Sequence, residues 1–536
     1  MKGGVLMKRL IALILCLAMV TFGSSAVFAS QTLYGDANGD GSVNAKDVLI
    51  MRKSIAGLGV TIDEELADVN GDGDVTMADL LLIRKSLAGI ITIGQYHVTE
   101  AIIADAYING VSVKDYTIVI PEEADLYTVY AAELLQDYID DKTGAEIPIV
   151  DDSSPETAYE FLIGATNREA SLASDVTLAE NEYILKYDAG KIVIRGEAYM
   201  IGGGVGKFTY DYMTYDPAKT MQVCYIDDLP TENIPTAYEA RQAKNVIFMI
   251  GDGMGPYHAE YTLERNLRRN LEPDYTEFCA DRLPAICTVV TDSLTTIESG
   301  GETPTDSAAG GTALACGYQT YNHYVGLDKD QHYLTNIREV ASSLGKRNAI
   351  MTTEPQTGAT PAAFTAHINE RSNYPVILIQ QNSLTNCDYL KGDIGEDLLS
   401  ETKYALDLLS TNNESGFFAM IEEAYIDKEC HGDNHGFQNQ IKLIHVMARF
   451  NSAIRYAMVF AAAHPDTLLL ITADHETGGL KRGCVFTTTK HTGVPVKLYA
   501  IGSGSEYFTG QIDNTFIPKV IASCWGIDDF GDPNIN

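Results

Sequence analysis

The run from Thr305 to Gly317 reads TDSAAGGTALACG, with one carboxylate, the hydroxyl of Ser307, and then glycines and other small residues. A serine in that place is suited to nucleophilic work if it opens a helix, because the free backbone N–H groups and the helix dipole favour an anion there. Ser and Asp are also ordinary helix caps, so on this stretch alone a tightly packed turn is the commoner outcome. Three other runs bear on the choice. NVIFMIGDGMG reaches Asp252 among glycines; FFAMIEEAYIDKECH carries Glu422 and then Asp427 and His431 four residues apart; TLLLITADHETGG reaches Asp474 and His475, with His491 following in KHTG. Singly, each has a bland reading as a turn residue, an exposed helix pair or a core histidine. Together they form a set of carboxylates and imidazoles without thiolates, which suits zinc in a catalytic rather than a structural site. Two divalent ions close together clamp the attacking and leaving oxygens of a phosphoryl displacement. A cation beside Ser307 also depresses the hydroxyl pKa, so no histidine base is required.

Such residues need elements to position them. The runs are short, apolar and end in charged side chains, which is how buried parallel strands present ligands at their carboxyl ends. Residues 243–536 therefore read as an α/β domain. Residues 96–236 alternate YTIVIP, the helical stretch YTVYAAELLQDYIDDKTG, IPIVDD, EFLIGAT and a hairpin, EYILKYDAGKIVIRGE, turned at Ala189-Gly190. That pattern predicts a smaller α/β domain. Its glycine-rich IGGGVGKF segment lacks GK[ST] and reads as a closely packed helix, not a phosphate loop.

Near the N-terminus, DANGDGSVNAKDVLIMRKSIAG from Asp36 is repeated as DVNGDGDVTMADLLLIRKSLAG from Asp68. Asp36, Asn38, Asp40 and Asp47, and again Asp68, Asn70, Asp72 and Asp79, occupy positions one, three, five and twelve of a calcium loop. Gly41 and Gly73 stand at the sharply turning sixth position. Position seven, Ser42 or Asp74, offers its carbonyl, and position nine, Asn44 or Thr76, acts through water. Each loop leads into a single apolar helix and ends in Asp where a paired-helix sensor has Glu. This resembles a dockerin over residues 30–93, which implies two bound calcium ions, an α-helical module and a cohesin partner on a scaffolding protein. Ala45-Lys46 and Met77-Ala78, the positions expected to choose the cohesin, differ between the repeats.

Composition narrows the class. A formal charge of −35 argues against nucleic-acid binding, which needs clustered Lys and Arg. Lys2, Lys8 and Arg9 precede the apolar run Leu10 to Val20 and the small-residue site Val27-Phe28-Ala29, so residues 1–29 read as a secretory signal peptide. No other segment is long and apolar enough to span a membrane. The remaining cysteines, from Cys224 to Cys524, contain no CxxC pair, and no obligatory disulfide scaffold is expected. Cys430, beside His431, reads as a buried small residue, with ligation or oxidation as the alternative.

With these residues in view, Asn245 to about Cys524 resembles the catalytic domain of the alkaline phosphatase family. The resemblance implies a three-layer fold around a mostly parallel sheet and a phosphoserine formed at Ser307. Asp306 would orient Arg371, which grips two phosphate oxygens. Asp427, His431 and His491 would hold one zinc ion; Asp252, Asp474 and His475 would hold a second. Asp252, Thr360 and Glu422 would hold magnesium, and Lys428 would reach the phosphate through water. One position departs: the residue two before the threonine, often Asp or His in the family, is Gly358. The third site should then be weaker, more hydrated or completed by another residue. The expected activity is hydrolysis of phosphate monoesters by a secreted enzyme docked on a cellulosome-type complex, and a homodimer is compatible with the resemblance. Two kinds of rival stand beside it, another hydrolase of the same architecture and a protein without catalysis. A sulfatase would show a modifiable cysteine and a phosphodiesterase usually a threonine nucleophile, whereas Ser307 stands in the motif here; a non-catalytic binding subunit draws support from Gly358 alone.

Overall fold

The computed structural model describes residues 105–213, 223–432, 437–482 and 485–531, together with Ile103 and parts of 36–75. The signal segment, 1–29, and the loop residues Asp40, Ser42, Asn44, Asp68, Asn70, Asp72, Asp74, Thr76 and Asp79 lie outside the described residues. The chain divides into two compact units, Met1–Val98 and Thr99–Asn536.

In the first unit, helices Ala45–Ile55 and Glu64–Ala67 enclose a small core of Ala37, Met51, Ala67 and Val69. Asp36 and Asp47 are buried, and Asp47 Oδ1 accepts from the backbone N–H and the side-chain amide of Asn38 at 3.2 and 2.6 Å. Loop positions three and twelve of the first repeat therefore meet, as closure of a calcium loop requires.

The second unit is built on two large sheets. The larger runs in the order Tyr389–Lys391, Arg347–Thr352, Phe417–Glu423, Asn245–Gly251, Thr467–Thr472, Val496–Ile501, Ala285–Val290, Gln511–Asp513. The first five of these strands are mutually parallel, and Val496–Ile501 is antiparallel to both its neighbours. Strands Phe417–Glu423, Asn245–Gly251 and Thr467–Thr472 are buried at every position, so helices must cover both faces. One group of helices comprises Phe437–Ala463 packed on Leu398–Ser410; the other comprises Ser307–Cys316 packed on Ala359–Ala363 and Phe516–Cys524. The arrangement is an α/β fold with a mixed, mostly parallel sheet, as the sequence led us to expect.

The six-stranded sheet, Ile149–Asp151, Thr117–Ile120, Glu160–Ile163, Lys191–Gly196, Glu182–Asp188 and Thr236–Ala237, contains the expected hairpin. Ala189 and Gly190 both take positive φ, +47° and +95°, as a tight two-residue turn demands. The IGGGVGK run is helical from Ile201 to Lys207. A Cβ at Gly202 or Gly206 would come within 2.6 or 2.4 Å of the carbonyl oxygens of Val459 and Ala463, so the glycines serve close approach to the long helix Phe437–Ala463. No phosphate loop is formed there. Every described cysteine is free, and Cys430 is buried. No described helix is long and apolar enough to cross a membrane.

Candidate active site

The site lies at the carboxyl ends of the central parallel strands, the rim where α/β sheets bind ligands. Asp252 follows Asn245–Gly251, Glu422 sits in Phe417–Glu423, and Asp474 and His475 follow Thr467–Thr472. Asp427 lies on the helix Tyr425–Cys430, His431 caps it, and His491 begins the short strand His491–Thr492. Residues far apart in the chain thus converge through strand order.

Ser307 is the first residue of the helix Ser307–Cys316, and only 4% of it is exposed. Asp306 caps that helix: its Oδ1 accepts from the Ala309 N–H at 3.0 Å, while its Oδ2 accepts from the His323 N–H at 3.1 Å and from Arg371 at 3.3 Å. The carboxylate that caps the Ser307 helix also holds the arginine. Small residues are needed because the helix runs against Asp474 and Thr360: a Cβ at Gly310 would lie 2.8 Å from the Asp474 carbonyl oxygen, and one at Gly311 3.2 Å from Thr360 Cα.

Two groups of potential ligands share His475. Asp427, His475 and His491 bring ligand atoms within 4.8 Å of one another, and so do Asp252, Asp474 and His475. His475 Nε2 stands 3.2 Å from Ser307 Oγ, 3.3 Å from Asp474 Oδ2 and 3.6 Å from Asp252 Oδ1. His431 joins through Nε2, which is 3.0 Å from His491 Nε2 and 3.2 Å from Asp427 Oδ1. His431 and His491 turn Nδ1 toward the carbonyls of Thr489 and Thr305, at 2.6 and 2.9 Å, which leaves their Nε2 atoms facing the site. Thr477, which sequence reasoning passed over, donates to Asp427 Oδ1 and so braces the cluster. A hydroxyl two residues past His475 gives no signal until the fold shows what it touches.

The electrostatics suit a cation. Buried Asp252 Oδ1, Asp474 Oδ2, Glu422 Oε1 and Thr360 Oγ1 have no hydrogen-bond partner. Burial, compounded by the neighbouring Asp474, Asp427 and Glu422, pushes Asp252 well above the usual carboxylate range, and burial with Glu354 does the same to Glu422. Asp474 is pushed up to about 6, chiefly by burial. Burial would raise Asp427 too, but hydrogen bonds with His431 and His491 outweigh it and hold it well below. His475 is held well below the ordinary imidazole value by burial and by His491, which favours the neutral ring. Orphaned buried oxygens and a hard oxygen and nitrogen donor set fit divalent cations, since unpaired buried carboxylates otherwise cost several kcal/mol each.

Lys428 does not point freely into the site; its Nζ pairs with Glu354 Oε2 at 2.7 Å. A third group, Asp328, Asp330 and His332, is largely exposed and separate from these ligands in the sequence.

The alkaline phosphatase family model matches residues 243–403 and 397–487, and the dockerin type I model matches residues 34–88. Alkaline phosphatase 4 of Bacillus subtilis is 29% identical over 305 residues, covering 45% of this chain and 63% of its own length. Alkaline phosphatase H of Pseudomonas aeruginosa is 24% identical over 417 residues, covering 53% of this chain and 86% of its own length. Among solved structures, alkaline phosphatase from the Antarctic bacterium TAB5 is 26% identical, with a TM-score of 0.45, over 53% of this chain and 98% of that one. The chain thus spans less than two thirds of the Bacillus subtilis relative. By the family models the chain carries an alkaline phosphatase family domain in its C-terminal region and a type I dockerin domain at its N-terminus.

Proposed function

We propose that the C-terminal domain hydrolyses phosphate monoesters through a phosphoserine at Ser307. The observation that carries this reading is the placement of Ser307 Oγ, at a helix N-terminus, 3.2 Å from a neutral histidine shared by two ligand groups. Bound cations, zinc held by Asp427, His431 and His491 and by Asp252, Asp474 and His475, and magnesium held by Asp252, Thr360 and Glu422, would supply the Lewis acidity that lowers hydroxyl and water pKa values.

The protein's own residues account for the rest. Arg371, aimed by Asp306, grips the phosphoryl oxygens in a bidentate manner and places phosphorus before Ser307 Oγ. The Oγ–P bond forms as the bond from phosphorus to the ester oxygen breaks; Ser307 loses its proton and the departing alcohol gains one. Water then forms a bond to phosphorus, the Oγ–P bond breaks, Ser307 regains a proton and inorganic phosphate leaves. The N-terminal N–H groups of the helix Ser307–Cys316 favour the charge that gathers at Ser307 in both steps.

The same reading makes the protein a secreted one, held on a cohesin-bearing scaffold by its calcium-loaded dockerin. The dockerin family match and the meeting of Asn38 with Asp47 support this part. The test of the activity is hydrolysis of an aryl phosphate by zinc-loaded protein, after chelation and with Ser307→Ala. Turnover lost in both cases is expected; turnover that survives Ser307→Ala would overturn the phosphoserine route. For docking, binding to a cohesin that ignores calcium would sink the partner assignment.

A further inference from the structure

Gly358 contributes no side chain two residues before Thr360, and the fold fills the resulting space from elsewhere. An ideal Cβ at Gly358 would lie 1.7 Å from Glu354 Oε1 and 2.3 Å from its Cδ, so the Glu354 carboxyl group occupies the volume that a side chain at 358 would take. The chain returns on itself to make this possible, with the Gly358 N–H donating to the Pro355 carbonyl at 2.8 Å. The Glu354 N–H donates to Thr352 Oγ1 at 3.2 Å, and that same hydroxyl donates to Glu422 Oε2. Glu354 is thereby tied to a carboxylate whose other oxygen, Oε1, is buried and unpartnered, as are Thr360 Oγ1 and Asp252 Oδ1. Its second oxygen holds Lys428. The Glu354 side chain is 14% exposed, open enough to meet an ion's water shell.

We propose that Glu354 completes the third cation site in place of a residue at 358, as a positioning carboxylate that orders the hydrated face of a magnesium ion and fixes Lys428 beside it. The proposal rests on the phosphatase reading for the identity of the ion. Magnesium keeps several of its waters and binds through few carboxylates, so an outer carboxylate sets its affinity. Charge accounts for the lysine: Glu354 lies close to the buried carboxyls of Asp252 and Glu422, and the Lys428 ammonium, 2.7 Å from its Oε2, offsets the added negative charge. Gly358 and Glu354 are then one feature. A side chain at 358 would require the Glu354 carboxyl group to move from the position it occupies.

The experiment is a magnesium titration of the full-length, zinc-loaded protein, read as the rise in Tm with Mg2+ concentration. The proteins compared are wild type, Glu354→Gln, and the double variant Glu354→Gly with Gly358→Asp. Glu354→Gln should raise the Mg2+ concentration giving half the shift by about tenfold or more, and the double variant should recover most of that loss. Identical titrations for wild type and Glu354→Gln, or no magnesium shift in the wild type, would overturn the proposal. Aryl phosphate turnover, measured separately, shows whether the phosphatase reading fails, and the Tm titration does not depend on it.

Discussion

His431 and His491 face one another through Nε2 atoms only 3.0 Å apart, while each turns Nδ1 to a backbone carbonyl. With both Nδ1 atoms turned to carbonyls, the neutral rings present their Nε2 lone pairs to one another beside Asp427, an arrangement that a shared cation suits. We expect His491→Gln to lower the bound zinc, measured by atomic emission on dialysed protein, by about one ion per chain. Its kcat/KM should fall by about 100-fold or more.

Chelation should cost stability as well as turnover. Stripping the cations leaves Asp252, Asp474 and Glu422 buried beside one another without a counter-charge. A ligand present at a thousandfold excess over its Kd contributes about 4 kcal/mol. Calorimetry before and after chelation should therefore show Tm falling by several degrees, and zinc with magnesium should restore it; an unchanged Tm would contradict the cation assignment.

Asp306 and Arg371 act as a clamp through His323, whose N–H donates to Asp306 and whose carbonyl accepts from the Arg371 N–H at 3.0 Å. His323 adopts φ +73°, where a β-branched residue is strained. Arg371→Lys should raise KM and weaken inhibition by inorganic phosphate by about tenfold, because an ammonium cannot span two oxygens. His323→Val should move the same two quantities in the same direction by loosening the clamp.

Gly310 meets the Asp474 backbone so closely that Gly310→Val must push the nucleophile's helix away from the second ligand group. Overpacking of this kind costs about 1 to 3 kcal/mol. Tm and zinc content should drop together, whereas Gly301→Ala, on an open turn at φ +89°, should leave zinc content unchanged.

His367 links the pH of the solution to the segment that carries Arg371. Burial would lower its pKa, but hydrogen bonding to Glu339 and the Gly326 carbonyl outweighs that and raises it above the ordinary 6.5. The protonated form is therefore favoured by folding; its contribution is fully present below about pH 6.5 and is lost as pH rises through the higher folded value. His367→Gln should lower Tm by a few degrees at pH 6 and by less at pH 9.

Much of this site was legible in the chain because its signals are local. Strand runs ending in Asp252, Glu422 and Asp474, the spacing of Asp427 and His431, and the small residues after Ser307 each reflect backbone rules acting over a few residues. Calcium-loop spacing at Asp36 to Asp47 is local in the same sense. What only the tertiary structure decided are relations across strand order. Thr477 braces Asp427 from 50 residues away, Glu354 takes the space left open at Gly358, and Lys428 is held by that glutamate and not left free. No period or spacing encodes such contacts, because a hydroxyl or carboxylate is directed by the neighbours that burial brings to it, and those neighbours exist only once parallel strands have been set side by side.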